Sequence, residues 1–250
     1  MSANILDKIA SPRAIAARER LIVALDVSTA TAARELVSRI GDNAGVYKVG
    51  LQLFIAEGPG LVRELVGVGH KVFLDLKLHD IPNTVSHAVK SAVDCGACML
   101  TVHSSAGTDS LRAAVDAAAG RLVILGVTVL TSFDDDDLRE IGVPGDVAKQ
   151  VVHLASLAKS AGCTGVVTSP RETALVRKAL GPEMAIVNPG VRPLGSGKDD
   201  QERTATPAEA IRAGASHIVV GRPITKAEDP ARAAAKIVLE MEQAQGSGSV

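Results

Sequence analysis

Eight short apolar runs rich in β-branched residues recur along the chain, and segments with helical periodicity lie between them and after the last. The runs fall at 21–26 (LIVALD), 45–50 (GVYKVG), 71–77 (KVFLDLK), 98–103 (CMLTVH), 121–130 (RLVILGVTVL), 163–168 (CTGVVT), 184–188 (MAIVN) and 216–221 (SHIVVG). Their near-continuous Val, Ile and Leu content reads as strands buried on both faces, as parallel sheets require. Helices are predicted over 29–40, 59–68, 82–94, 107–118, 145–161, 170–180, 206–213 and 229–244. Boundary residues agree: Thr29, Ser169 and Thr206 suit N-caps, Pro170 and Pro207 suit first helical positions, and glycines such as Gly41, Gly162 and Gly214 stand near helix ends. Eight strand–helix units in about 225 residues, with no compositional break that could mark a linker, predict one α/β domain, a closed (β/α)8 TIM barrel over 21–244. Residues 1–20 read as a short helical extension and 245–250 as a flexible tail.

Aromatic residues make up only 2% of the chain, so its core must be built from Ala, Val, Ile and Leu. The net charge of -1 offers no electrostatic footprint for nucleic acid or an anionic membrane, and the scarcity of stacking aromatics argues the same way. No apolar stretch reaches the roughly 18 residues that span a bilayer, and residues 1–20 contain no signal-peptide core; a cytoplasmic location is expected. Cys95-Gly96-Ala97-Cys98 matches C-x-x-C but stands where a helix ends and a strand begins, the reverse of a redox pair's setting, so packed reduced thiols are expected. The run Asp134 to Asp137 reads as a solvated helix N-terminus, and His79, His87 and His103 lack the spacing of a metal-binding helix; no metal is expected.

The segment Phe73 to Thr84 (FLDLKLHDIPNT) sets charges in an apolar strand. Side chains alternate along a strand, so Asp75 and Lys77 are predicted to share a face opposite Leu74, Leu76 and Leu78. Burying two opposite charges costs several kcal/mol each before their attraction is counted, so chemistry explains them better than bracing does. Catalysis in such barrels occurs at the C-terminal ends of the strands. The polar residues expected there are Asp26, Lys48, Asp75, Lys77, His103, Thr131, Ser132, Arg192 and Arg222. Gly221-Arg222-Pro223 fits a phosphate, because Gly221 admits an anion to the backbone and Arg222 offers a two-pronged donor beside a helix start. The long loop 188–201 reads as a lid that brings Arg192 and Gln201 to the phosphate on closing. Its Gly197-Lys198 is no nucleotide P-loop, since Arg192 stands at the required glycine and Asp199 at the required Ser or Thr.

Asp75-Leu-Lys77-Leu-His-Asp80-Ile81-Pro82-Asn83-Thr84 is one of several motifs that, in order, resemble the orotidine 5′-monophosphate decarboxylase family. The others are Leu21 to Asp26, Thr128-Val129-Leu130-Thr131-Ser132, Pro189-Gly190-Val191-Arg192-Pro193, Asp200-Gln201 and Val220-Gly221-Arg222-Pro223, so the resemblance spans about 21 to 240. It departs at Asn188, where the family often has Thr, and at Ser104, where it often has Ala. The resemblance implies decarboxylation of orotidine 5′-monophosphate (OMP) to uridine 5′-monophosphate (UMP) without metal or organic cofactor. It implies that Lys48, Asp75 and Lys77 alternate in charge around the reacting carbon, with Lys77 as proton donor and Asp80 supplied across a homodimer. Asp26 and, from the other subunit, Thr84 would contact the ribose, with Ile81 among the substrate-binding residues. Ser132 would hold the pyrimidine beside Thr131, and Gln201, Arg192, Gly221 and Arg222 the phosphate. Two alternatives stand beside it: a magnesium-dependent decarboxylase or aldolase of the same superfamily acting on a sugar phosphate, and a barrel that binds nucleotide without turnover.

Overall fold

Eight parallel strands pair in chain order and close on themselves, β8 against β1. They are β1 (Leu21–Ala24), β2 (Val46–Gly50), β3 (Val72–Leu78), β4 (Met99–His103), β5 (Val123–Val127), β6 (Gly165–Val167), β7 (Ala185–Asn188) and β8 (His217–Val220). The computed structural model describes residues 15–193 and 205–246. The single (β/α)8 barrel expected from the alternation is the fold observed.

Period-two alternation sorts the strand residues into two layers. Ile22, Val46, Phe73, Met99, Leu125 and Val219 belong to a cluster filling the barrel interior. Their neighbours Val23, Tyr47, Leu74, Leu100, Ile124 and Ile218 face the helices in a second, larger cluster. With so few aromatic rings, Tyr47 and Phe73 are the largest of the fully buried side chains.

The expected caps form. Thr29 and Thr206 accept from Ala32 N (3.2 Å) and Glu209 N (3.2 Å), and Ser169 accepts from Arg171 N (3.3 Å). Asp134 caps the helix Asp135–Glu140 in a reciprocal box with Asp137, so the acidic run is a solvated helix start. All three cysteines are free and buried; burial pushes the Cys98 thiol up to about 12.

Several boundaries differ from expectation. The helix expected over 59–68 extends back to Leu51, and Gly58 (φ 65°, ψ −166°) breaks it, because the following Pro59 disfavours α geometry at the residue before it. The run 121–130 is a strand only over Val123–Val127, although Thr128 N still donates to Val167 O (3.2 Å). The last helix, Pro230–Gly246, runs two residues past 244. Before the barrel, Ala17–Arg20 forms a single helical turn. Buried Arg20 donates from Nε to Ser216 O (2.8 Å) and from Nη2 to Ala215 O (2.6 Å), which pins that turn to the entry of β8.

Candidate active site

Four charges of alternating sign meet at the C-terminal rim of β1, β2 and β3. Register brings them together: Ala24 lies opposite Lys48, and Gly50 opposite Asp75. Lys48 Nζ stands 3.2 Å from Asp26 Oδ1 and 3.5 Å from Asp75 Oδ2, and Lys77 Nζ stands 2.9 Å from Asp75 Oδ1. The side chains of Lys48 and Asp75 are only 11% and 14% exposed, so this pair is little screened, whereas Asp26 is 62% exposed and its contact is weak. Burial alone would raise the Asp75 pKa, but the charges of Lys48 and Lys77 and hydrogen bonds from Lys77 and Thr101 outweigh it and hold the carboxyl below its ordinary range. Asp75 is therefore ionised at neutral pH.

Simple alternation does not account for how Lys77 reaches this cluster. Leu74 pairs with Leu100 and Leu78 with Val102, so three residues of β3 oppose the single residue Thr101 of β4. Within this bulge Lys77 has φ +48°, and among the described residues Ala119 is the only other non-glycine with positive φ. Left-handed backbone at such a residue costs on the order of 1–3 kcal/mol and persists only where surrounding contacts enforce it. Here Thr101 Oγ1 accepts from Lys77 N (2.9 Å) and donates to Asp75 Oδ1 (3.0 Å). Sequence reasoning passed over Thr101, an ordinary strand residue until the bulge is known. It also passed over Gly50, where a Cβ would lie 3.0 Å from Lys48 Nζ; the missing side chain leaves room for the ammonium.

Above the interior core lies a cavity of about 570 Å³, a size suited to a small-molecule ligand. Its lining includes Asp26, Lys48, Asp75, Lys77, Thr131, Arg192, Gly221 and Arg222 among the residues anticipated from sequence. Cationic and carboxylate groups thus share one concavity with apolar walls from Ala24, Phe73, Val167, Val187 and Val219. Arg192 is largely buried and its backbone N donates to Ala205 O (2.9 Å), which joins the two described ends of the long loop. Gly221 caps the four-residue helix Arg222–Thr225. The N–H groups of Ile224 and Thr225 are spent on Gly221 O (2.9 and 3.0 Å), so Arg222 rather than the helix start is the main donor there.

Not every expected residue lies in this cavity. Asp80, Ile81 and Thr84 are exposed and outside its lining. Asp80 bonds locally, accepting from Ile81 N (2.7 Å) at Oδ1 and from Ser110 Oγ (2.9 Å) at its backbone carbonyl. Ser132, in the turn it shares with Thr131, is likewise exposed and absent from the lining. His103 also stays out of it, half-buried with its ring centroid 5.4 Å from that of His79. Burial, with His79 and Lys77 nearby, lowers the His103 pKa, against the opposing pull of Asp75. Gln201 falls outside the described residues.

Comparison with known proteins identifies the family. The family model described as "Orotidine 5′-phosphate decarboxylase / HUMPS family" matches residues 19–237. A protein named orotidine 5′-phosphate decarboxylase from Moorella thermoacetica is 50% identical over 235 residues, covering 90% of this chain and 93% of its own. One of the same name from Rhodopseudomonas palustris is 51% identical over 229 residues, covering 91% and 97%. The crystal structure of orotidine 5′-phosphate decarboxylase from Lactobacillus acidophilus superposes with a TM-score of 0.80 at 38% identity, covering 88% of this chain and 98% of that one.

Proposed function

We propose, on the premise that this chain belongs to the orotidine 5′-phosphate decarboxylase / HUMPS family, that it converts OMP to UMP and CO₂ in the last step of de novo pyrimidine biosynthesis. The chain is a carboxy-lyase by its kinship with relatives half identical to it over nearly their whole length. The observation that carries the finer reading is the Asp75 carboxylate held ionised between two ammonium groups inside the cavity.

In this reading the C6–carboxylate bond of the pyrimidine breaks, CO₂ leaves, and the electron pair stays on C6. The Lys77 ammonium stabilises that carbanion and then protonates it, and solvent returns a proton to the amine. Repulsion between Asp75 and the substrate carboxylate, at about 4 Å and an effective dielectric near 20, supplies only about 4 kcal/mol. Enzymes lower barriers by roughly 8 to 23 kcal/mol, so repulsion is the smaller part. The larger part is assigned to charge already in place around the carbanion and to phosphate binding energy used to close the site. Lys48 keeps Asp75 ionised and aligned. Asp26 meets the ribose together with the partner subunit's Thr84, and the partner subunit's Asp80 completes the charge set of a cytoplasmic homodimer. Arg192, Gly221, Arg222 and Gln201 hold the phosphate. Thr131 lines the pyrimidine site, Ser132 holds the pyrimidine, and Ile81 is among the substrate-binding residues.

Two tests belong to this reading. Loss of OMP absorbance on mixing with the purified protein is expected to continue undiminished in EDTA. A cation at Asp75 would have to displace two ammonium groups and the Thr101 hydroxyl, so turnover lost on chelation and restored by magnesium would favour the metal-dependent alternative. Arg222→Ala is expected to raise KM for OMP by about tenfold to a hundredfold, the loss of a charge-assisted pair, and to leave the far slower turnover of phosphate-free orotidine unchanged. Equal losses on both substrates would remove Arg222 from the phosphate site.

A further inference from the structure

We infer that Thr101 is a positioning residue for the reaction, its single hydroxyl holding both the Asp75 carboxylate and the left-handed backbone of Lys77. Thr101 is fully buried and its hydroxyl both donates and accepts: its proton goes to Asp75 Oδ1 (3.0 Å) and it accepts the Lys77 N–H (2.9 Å). In a regular parallel ladder a carbonyl of β4 would accept a bond from this part of β3. The two extra residues of the bulge remove that partner, and the Thr101 side chain takes its place. One group therefore couples the ammonium carrier to the carboxylate that orients it. The contact also makes the unfavourable φ of +48° tenable at a long side chain. Thr101 does not line the cavity and touches no reacting atom; it acts through its two neighbours.

Thr101→Val keeps the shape and removes the hydroxyl, leaving a buried N–H and a carboxylate oxygen short of a partner. Lys77 is then free to return to negative φ and carry its ammonium away from the reacting carbon. The expected result is a fall in kcat of about tenfold to a hundredfold, with KM for OMP and the Kd for UMP within about threefold of the parent. Thr101→Ser, which restores the hydroxyl, is expected to recover most of the loss. A crystal structure of Thr101→Val is expected to show Lys77 at negative φ.

The inference rests on the reading of Lys77 as proton donor, and the measurements separate the two. If Lys77→Ala keeps turnover, that reading fails, while the φ of Lys77 in the Thr101→Val crystal still tests the positioning role. Lys77 remaining at positive φ in that crystal overturns the inference. So does a kcat within about twofold of the parent, or a fall in kcat matched by an equal loss of UMP binding. If Thr101→Val does not fold, the pair Thr101→Ser and Thr101→Ala carries the same comparison, with serine expected to exceed alanine about tenfold in kcat and equal rates overturning the inference.

Discussion

Lys77→Ala is expected to lower kcat on OMP by at least about 10⁴-fold, while UMP still binds within about tenfold of the parent affinity. On the proposed mechanism alanine removes two contributions at one position: the cation beside the developing carbanion and the proton that quenches it. Binding is expected to survive because the contacts proposed for phosphate and ribose come from other strands, with Arg222 after β8 and Asp26 after β1 on the same cavity. Asp75 also keeps one cationic neighbour, Lys48 at 3.5 Å. Lys77→Arg separates the two contributions. A guanidinium keeps the charge but cannot give up a proton near neutral pH, so it is expected to fail as well, though its CO₂ release exceeds that of alanine. The assay is the decline of OMP absorbance, with UMP binding followed by calorimetry. Turnover by Lys77→Ala within about tenfold of the parent would remove Lys77 from the chemistry.

Two inactive variants are expected to rescue one another. Asp80→Ala and Lys77→Ala should each lack activity as purified homodimers, and mixing them in equal amounts after dissociation should restore about a quarter of the parent rate. The arithmetic follows from two-fold symmetry. Half the reassembled dimers contain one chain of each kind, and in those dimers one of the two sites draws an intact Lys77 from one chain and an intact Asp80 from the other. The resemblance to the family implies this arrangement, and it fits the position of Asp80 and Thr84 outside the lining of this chain's own cavity, on the exposed stretch that leaves β3. Exposed Ile81, at 65% accessibility, adds apolar surface to the same stretch. No recovery on mixing, in dimers shown to have exchanged subunits, would place Asp80 in the site of its own chain or outside the chemistry altogether. Sedimentation of the active parent as a monomer would end the two-subunit reading directly.

Much of the fold was legible because its signals are local and repeated. Each strand run carries its own β-branched content, and Thr29, Ser169 and Thr206 mark helix starts through bonds that span only two or three residues. The long helical region Leu51–Gly67 was half missed because one glycine–proline pair both breaks the helix and disguises what precedes it. Part of the site was legible for another reason: a barrel sends the C-terminal ends of its strands to one mouth, so Lys48, Asp75, Lys77, Arg192 and Arg222 could be gathered by position alone. Ser132 and His103 satisfy the same rule yet do not line the cavity, since position at a strand end fixes the rim a residue reaches and not whether its side chain meets the cavity wall.

By itself the sequence determined the number of strand–helix units, the closed barrel they form, and the rim where charge collects, because periodicity and capping act within a few residues. Only the tertiary structure decided how that charge is arranged. The bulge opposite Thr101, the positive φ of Lys77, the room left by Gly50 for Lys48, and the exposure of Asp80 all arise from pairing between segments. A strand read alone gives Asp75 and Lys77 a common face through alternation. In the folded barrel they meet through an irregularity, which a buried hydroxyl on the neighbouring strand satisfies.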